Sequence, residues 1–396
     1  MSAPLEGIRV VEIGTLVAAP FAARILAEFG ADIVKVEAPG QGDPLRRWRK
    51  MHDGTSLWWR LQSRNKKSIG LNLKSPEGIE IARSLIAEAD ILIENMRPGA
   101  LEKLGLGWEE LSAINPKLTM VRISGYGQTG PYRDRPGFGV IGEAMGGIRY
   151  TTGYPDSPPP RVGISLGDSL ASLYGVIGAL ISLFNVKNGG KGQVVDVSLF
   201  ESVFSLMESL VPEYDLLGHV RERSGGALPG ISPSNIYPSR DGGYVVIAGN
   251  SDPIFRRLMT LIGRPDLAED PALQHNDGRV AQNDMLDAAI TAWTSSQDAD
   301  VLVAQLEQTE IPAGRIYSAA DIIADPHYQA REMILSAKLA DGNDIKMPGI
   351  VPKMSGTPGG VRWLGPELGQ HTTDILRDLD FDDAKIARLR AEGVVQ

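Results

Sequence analysis

Apolar positions follow two alternating periods along the first 125 residues. Residues 8–13 (IRVVEI) form a short β-branched run and predict a buried strand. Residues 20–29 (PFAARILAEF) follow, with Phe21, Ile25, Leu26 and Phe29 at helical spacing. Pro20 suits the first helical turn and Gly30 the stop. The same reading predicts strands at 33–37, 91–94 and 119–124 and helices at 76–89 and 108–115. Strands alternating with helices imply a parallel sheet with right-handed crossovers.

Glycine and proline then punctuate residues 125–160. A stretch without charge, 169–186, lies between Asp168 and Lys187. It approaches the roughly 20 residues of a membrane span, but its serines, Asn185 and glycines predict a buried helix of a soluble core. A strand is expected at 194–197, a helix at 199–210 and a glycine- and proline-containing crossing at 218–234. The segment 236–248 reads as a hairpin that turns at Asp241-Gly242-Gly243. Helical patterns at 253–262 and 280–307 complete a smaller domain over 225–325. The larger domain is expected over 1–220, and short strands with two helices over 330–396.

Composition narrows the function. The 396 residues are 42% hydrophobic and 22% charged, which suits a folded chain of two or three domains. A net charge of −9 argues against a nucleic-acid binder. The chain has no cysteine, which removes disulfides, thiolate metal sites and a cysteine nucleophile. His52, His219, His275, His327 and His371 are scattered, so no metal is assigned. The first residues, MSAPLEGIRVVEIG, lack a basic start and apolar run, so a cytoplasmic location is expected.

Three segments bear on chemistry. The first strand–helix turn, 14–20, holds one glycine where a dinucleotide site needs G-x-G-x-x-G, which disfavours a nicotinamide or flavin enzyme. Its small Ala18 and Ala19 suit either helix–sheet packing or a ligand lying on the backbone. Arg64, Asn65, Lys66, Lys67 and Lys74, with Arg97 and Lys103, concentrate positive charge. They fit a solvated face or a phosphate site. Finally, GISLGDS (163–169) puts Asp168 between glycines and the long uncharged segment. Asp168 is either a plain helix N-cap or a carboxylate kept ionised by a helix N-terminus and able to act as a nucleophile. No G-x-S-x-G elbow of a serine hydrolase is present.

These residues resemble the class III CoA-transferases (CaiB/BaiF type, the formyl-CoA and carnitine CoA-transferase group) along essentially the whole chain. The matching blocks are LEGIRVVEIG, FGADIVKVEAPGQGDPLR, NKKSIGLNLKSPEG, ADILIENMRPGALEKLGL, SGYGQTGP, the LGDS at Asp168, GKGQVVDVSLFE, DGGYVVIAGN and LGQHTTDIL. The resemblance implies an α/β fold with a Rossmann-like large domain built from both chain ends, a smaller inserted α+β domain, and an interlocked homodimer. It places the nucleophile at Asp168 and CoA-binding positions at Leu16, Val17, Ala18, Leu71, Lys74, Asn95, Met96, Arg97, Ala100 and Lys103. The basic cluster then becomes a phosphate site. Gly225 and Gly226 become candidates for an oxyanion-stabilising cover loop. The implied activity moves CoA from an acyl-CoA donor, best matched by succinyl-CoA, to a small dicarboxylic acid. Coenzyme A enters as substrate thioester, with no permanent cofactor, nucleic acid or membrane partner. Two departures matter: Gly137-Phe138-Gly139 lacks an acidic side chain common at that block, and Ser224-Gly225-Gly226-Ala227 is a reduced glycine loop, which makes oxalate specificity unexpected. An α-methylacyl-CoA racemase would need a histidine near Phe138, and none lies between His52 and His219. A non-catalytic acyl-CoA-binding protein would have no use for an intact Asp168.

Overall fold

The computed structural model describes residues 3–396. Its main sheet contains six parallel strands: β1 (Arg9–Ile13), β2 (Asp32–Glu37), β3 (Lys66–Gly70), β4 (Ile91–Glu94), β5 (Thr119–Ser124) and β6 (Val194–Ser198). Their spatial order is β3-β2-β1-β4-β5-β6. This is the Rossmann-like order, with the chain leaving the centre in opposite directions at β1 and β4. Helices cover both faces, so β4 and β5 are buried along their whole length.

Side chains alternate between two cores, as the period of a strand requires. Val10, Ile91, Ile93 and Val121 face helix α1 (Ala18–Glu28) and the long helix α4 (Leu166–Lys187). Val11, Leu92 and Met120 face helix α2 (Pro76–Ala87) and the C-terminal helices Thr372–Asp378 and Asp383–Ala391. Ser75 caps α2 by accepting from Gly78 N–H, and Pro76 opens it. Helix α3 (Trp108–Ile114) starts with two glutamates at its positive end.

The strand β3 falls where the sequence suggested only a basic cluster. Its Lys66 and Ser68 point into a polar network rather than an apolar core, so no strand period shows. The C-terminal segment fastens it: Trp363 Nε1 donates to Lys66 O, Gln396 N to Gly70 O, and Leu71 bridges Val395.

The chain divides into two compact units. The first comprises Met1–Ile148, Val162–Glu208 and Glu332–Gln396. The second comprises Arg149–Arg161 and Ser209–Arg331. Against the expected limits 1–220, 225–325 and 330–396, residues 209–220 and the stretch Arg149–Arg161 go with the smaller unit. Residues 1 and 2 lie outside the described residues. The second unit holds an antiparallel sheet of Ser234–Pro238, Tyr244–Ala248 and Ala313–Arg315. Helices including Asp252–Leu261, Asn283–Thr294 and Ala299–Gln308 pack on it around Tyr237, Leu258 and Ile290.

Other expectations change in detail. The helix expected at 199–210 ends at Phe204, and a separate helix spans Leu210–Leu217. The pattern at 280–307 belongs to three helices, broken at Gln282 and at 295–298. Helix α4 is buried on one face only. Ala171, Gly175 and Ala179 lie on the sheet, whereas Ile181 and Phe184 are 63% and 70% exposed.

Candidate active site

The C-terminal ends of the parallel strands converge on one crevice of about 110 Å³. Open α/β sheets bind ligands there, at the point where strand order reverses. Leu16, Val17 and Ala18 follow β1. Asn95, Met96 and Arg97 follow β4, and Gly125 follows β5. Asn95 ties the two sides together: its Oδ1 accepts from Thr15 N–H at 2.9 Å and its Nδ2 donates to Thr15 O at 2.9 Å. Asp168 lines the same crevice.

Asp168 is the third residue of α4, whose N-cap is Ser165. It is therefore a first-turn carboxylate and not the N-cap itself, close to the positive end of a 22-residue helix. Its carboxylate rests against Gly139: a Cβ there would stand 2.1 Å from Oδ2. A side chain at 139 would force the Asp168 carboxylate to move, so Gly139 is what lets it rest in this position. Gly167 N–H donates to the buried Glu143, one turn along from Gly139. Ser172 Oγ lies 2.7 Å from both Asp168 O and Ala18 O, which fixes the helix start against α1.

A buried charge network shapes the β1 turn from below. Lys35 Nζ reaches Glu12 at 2.7 Å, Gly14 O at 2.8 Å and Asp43 at 2.9 Å. Asp43 accepts from Leu16 N–H at 3.0 Å and Leu45 N–H at 2.8 Å. Burial alone would raise the Asp43 pKa; the Lys35 charge and these N–H groups outweigh it and hold the carboxyl below its ordinary range. Leu16 adopts φ 67°, a left-handed conformation costly for leucine, and the Asp43 contact holds it there. On the β4 side, Glu94 accepts from Met96 N–H at 2.6 Å and from Arg122 Nε at 2.8 Å. Burial pushes Glu94 above the usual carboxylate range despite Arg122.

The basic cluster divides sharply. Lys66 is fully buried, its Nζ 2.7 Å from both Glu12 and Pro20 O. Arg64 is 1% exposed and pairs with Glu28, while Asn65 bonds Gly360 and Arg362. Lys67 pairs with Asp32 at the opposite, N-terminal end of the sheet. None of these four can meet a phosphate at the crevice, which corrects the reading of them as part of a phosphate site. Lys74, Arg97 and Lys103 are exposed and form no ion pair among the described residues. Of these three, Arg97 lines the crevice. Lys74 follows β3, and Ala100 and Lys103 form a short helix after β4, both on the same edge of the sheet. Leu71 commits its side chain to the core.

Gly225 and Gly226 belong to the second unit. Gly225 N–H already donates to Gly153 O at 2.9 Å, which leaves Gly226 as the donor of that pair. Among the described residues no group of acidic and histidine side chains could hold a metal. A wider cavity of about 550 Å³ lies beside Trp363 and the hairpin Ile334–Lys338/Asp344–Pro348, but no candidate site residue lines it. Sequence reasoning missed Arg133 and Arg135, which line the crevice; their place in the loop between the strand-ending SGYG and Gly137 was the available signal.

Residues 5–372 match the family model described as CoA-transferase family III. A Chloroflexus aurantiacus succinyl-CoA–D-citramalate CoA-transferase is 50% identical, covering 99% of this chain and 98% of the relative. An Agrobacterium fabrum succinate–glutarate CoA-transferase is 35% identical over 95% and 96% of the two chains. Among solved structures, a CaiB/BaiF family protein from Brucella suis superposes with a TM-score of 0.86 at 35% identity, covering 96% of this chain and 100% of the other.

Proposed function

The chain belongs to CoA-transferase family III, and on that footing we propose that it moves CoA from succinyl-CoA to a small dicarboxylic acid through Asp168. The observation that carries the reading is the Asp168 carboxylate, seated on Gly139 at the head of α4 and opening into the switch-point crevice. Relatives that act on citramalate, malate and glutarate support the substrate class.

The chemistry follows from a carboxylate nucleophile. Asp168 attacks the thioester carbonyl and expels CoA thiolate, leaving an aspartyl–succinyl anhydride. The thiolate attacks the aspartyl carbonyl and releases succinate, leaving an aspartyl-CoA thioester. The acceptor carboxylate then displaces the thiolate, and the thiolate takes the acceptor acyl group from the second anhydride. A carboxylate is a weak nucleophile, so holding it against the thioester supplies much of the rate. Arg97, Lys74 and Lys103 supply charge for the CoA phosphates, and Leu16–Ala18 with Asn95 and Met96 form the floor.

A racemase finds less support: it needs an acid–base pair, and no histidine lines the crevice among the described residues. We expect Asp168→Ala to abolish transfer while keeping CoA affinity within about threefold. A residual kcat above about one hundredth, a barrier change under roughly 3 kcal/mol, would move the nucleophile elsewhere. Mass spectrometry of the wild-type protein with succinyl-CoA separates the enzyme from an inert binder, which forms no covalent adduct.

The apolar outer face of α4, with Leu173, Ile177, Ile181 and Phe184 exposed, supports the interlocked homodimer implied by the resemblance.

A further inference from the structure

Beyond Asp168, the crevice is lined by three arginines and no second carboxylate: Arg97, Arg133 and Arg135. We propose that Arg135 selects dicarboxylic acids by binding the carboxylate remote from the thioester. This rests on the transferase reading of Asp168.

Three observations point to Arg135. First, its guanidinium carbon sits over the Tyr132 ring, 3.5 Å from the centroid. Tyr132 is itself held edge-on by Tyr126 at 6.0 Å, and Tyr126 by Phe200 at 6.3 Å. Stacking occupies one face of a guanidinium and leaves its edge N–H groups directed outward, the geometry that grips a carboxylate through two parallel bonds. Second, Arg135 has no ion-pair partner among the described residues, whereas Arg133 touches Asp134 at 3.5 Å. An arginine anchored by an aromatic cluster yet left without an anion is arranged for a ligand. Third, the chain from Arg135 runs directly into Gly137-Phe138-Gly139, the segment on which the Asp168 carboxylate rests. A four-carbon diacid joined to Asp168 at one end carries its free charge only a few ångströms away.

The exchange chemistry gives Arg135 a double use. The donor acid must leave before the acceptor acid enters, and both occupy the same place beside Asp168. One cation therefore reads the free carboxylate of the succinyl group and then that of the acceptor. The pairing of two exposed groups is weak in water, but the ligand and Asp168 exclude water from this crevice as it fills, and charge-assisted bonds gain strength there.

The test is the identity exchange of labelled succinate into succinyl-CoA, which requires no knowledge of the acceptor. Arg135→Gln is expected to raise the KM for succinate ten- to hundredfold. Kcat should change less than threefold, and the Kd for free CoA should stay within threefold of wild type. Arg135→Lys should recover part of the succinate KM. An unchanged succinate KM in Arg135→Gln overturns the assignment. So does a matching loss of CoA affinity, which would give Arg135 to the CoA phosphates. A wild-type protein that exchanges no succinate fails the succinyl-transferase reading itself, a result distinct from either.

Discussion

Lys66 shows how far a residue's chemistry departs from its appearance in the sequence. In RNKKS it is one of a run of cations, and charge alone cannot separate a phosphate ligand from a buried strut. Folding decides: β3 turns Lys66 inward, toward Glu12 and Pro20 O, because a strand sends alternate side chains to opposite faces. Burial, opposed by Glu12, lowers the ammonium to about 8, so it is charged at neutral pH and its pairing with Glu12 is intact. Lys66→Met should therefore cost about 3 kcal/mol of stability, since a buried acid loses a partner. Chemical denaturation reads this directly. The KM for acyl-CoA should stay within twofold, whereas a phosphate ligand would raise it. Asp168 was the opposite case. Its place between Gly167 and a charge-free helix marked it in the sequence, but the space provided by Gly139, 29 positions away, was invisible without the fold.

At the level of elements, β1, β2, β4, β5 and the helices between them were legible because each buries an apolar run or stripe. What failed was β3, whose buried positions are polar, and the helix breaks near 205–209 and 282, where no proline or glycine marks the stop. The partner of β3 is equally hidden: His371, three hundred residues later, accepts from Ser68 N–H through Nδ1 at 3.1 Å. Burial, then the Lys67 charge, lowers the His371 pKa below 6.5. The neutral ring is thus the form the fold prefers. Its contribution is complete above the unfolded pKa and is lost as pH falls from about 6.5 through the folded value. Urea midpoints at pH 7.5 and 5.5 should differ more in the wild type than in His371→Asn, whose amide oxygen can accept the same bond without titrating. Equal pH dependence in the two proteins would remove His371 as the cause.

For the whole molecule, the pattern of alternating elements gave the parallel sheet, and the resemblance gave the return of the chain end to it. Neither revealed that Arg149–Arg161 joins the smaller unit, because a proline-rich loop carries no period that assigns it to one core or another. The exposed apolar side of α4 bears on assembly. A helix 22 residues long with Phe184 70% exposed is poorly suited to water as a lone chain. If two chains are linked as rings, neither can leave without one of them opening, and dilution alone does not separate them. Sedimentation at nanomolar concentration should show a dimer with no monomer boundary. A folded, active monomer there would contradict the interlocked assembly.

The bridge from Leu71 to Val395 also sets a schedule for biosynthesis. Strand β3 leaves the ribosome early, but Val394 and Val395, which share a core with α2, and Gln396, whose N–H donates to Gly70 O, emerge more than three hundred residues later. At roughly 5–20 residues per second, strand β3 waits between about 15 and 65 s for the segment that fastens it. During that interval the nascent sheet offers an unclosed edge and an uncovered apolar face, so chaperone occupancy on translating ribosomes should fall only after the helix Asp383–Ala391 is released.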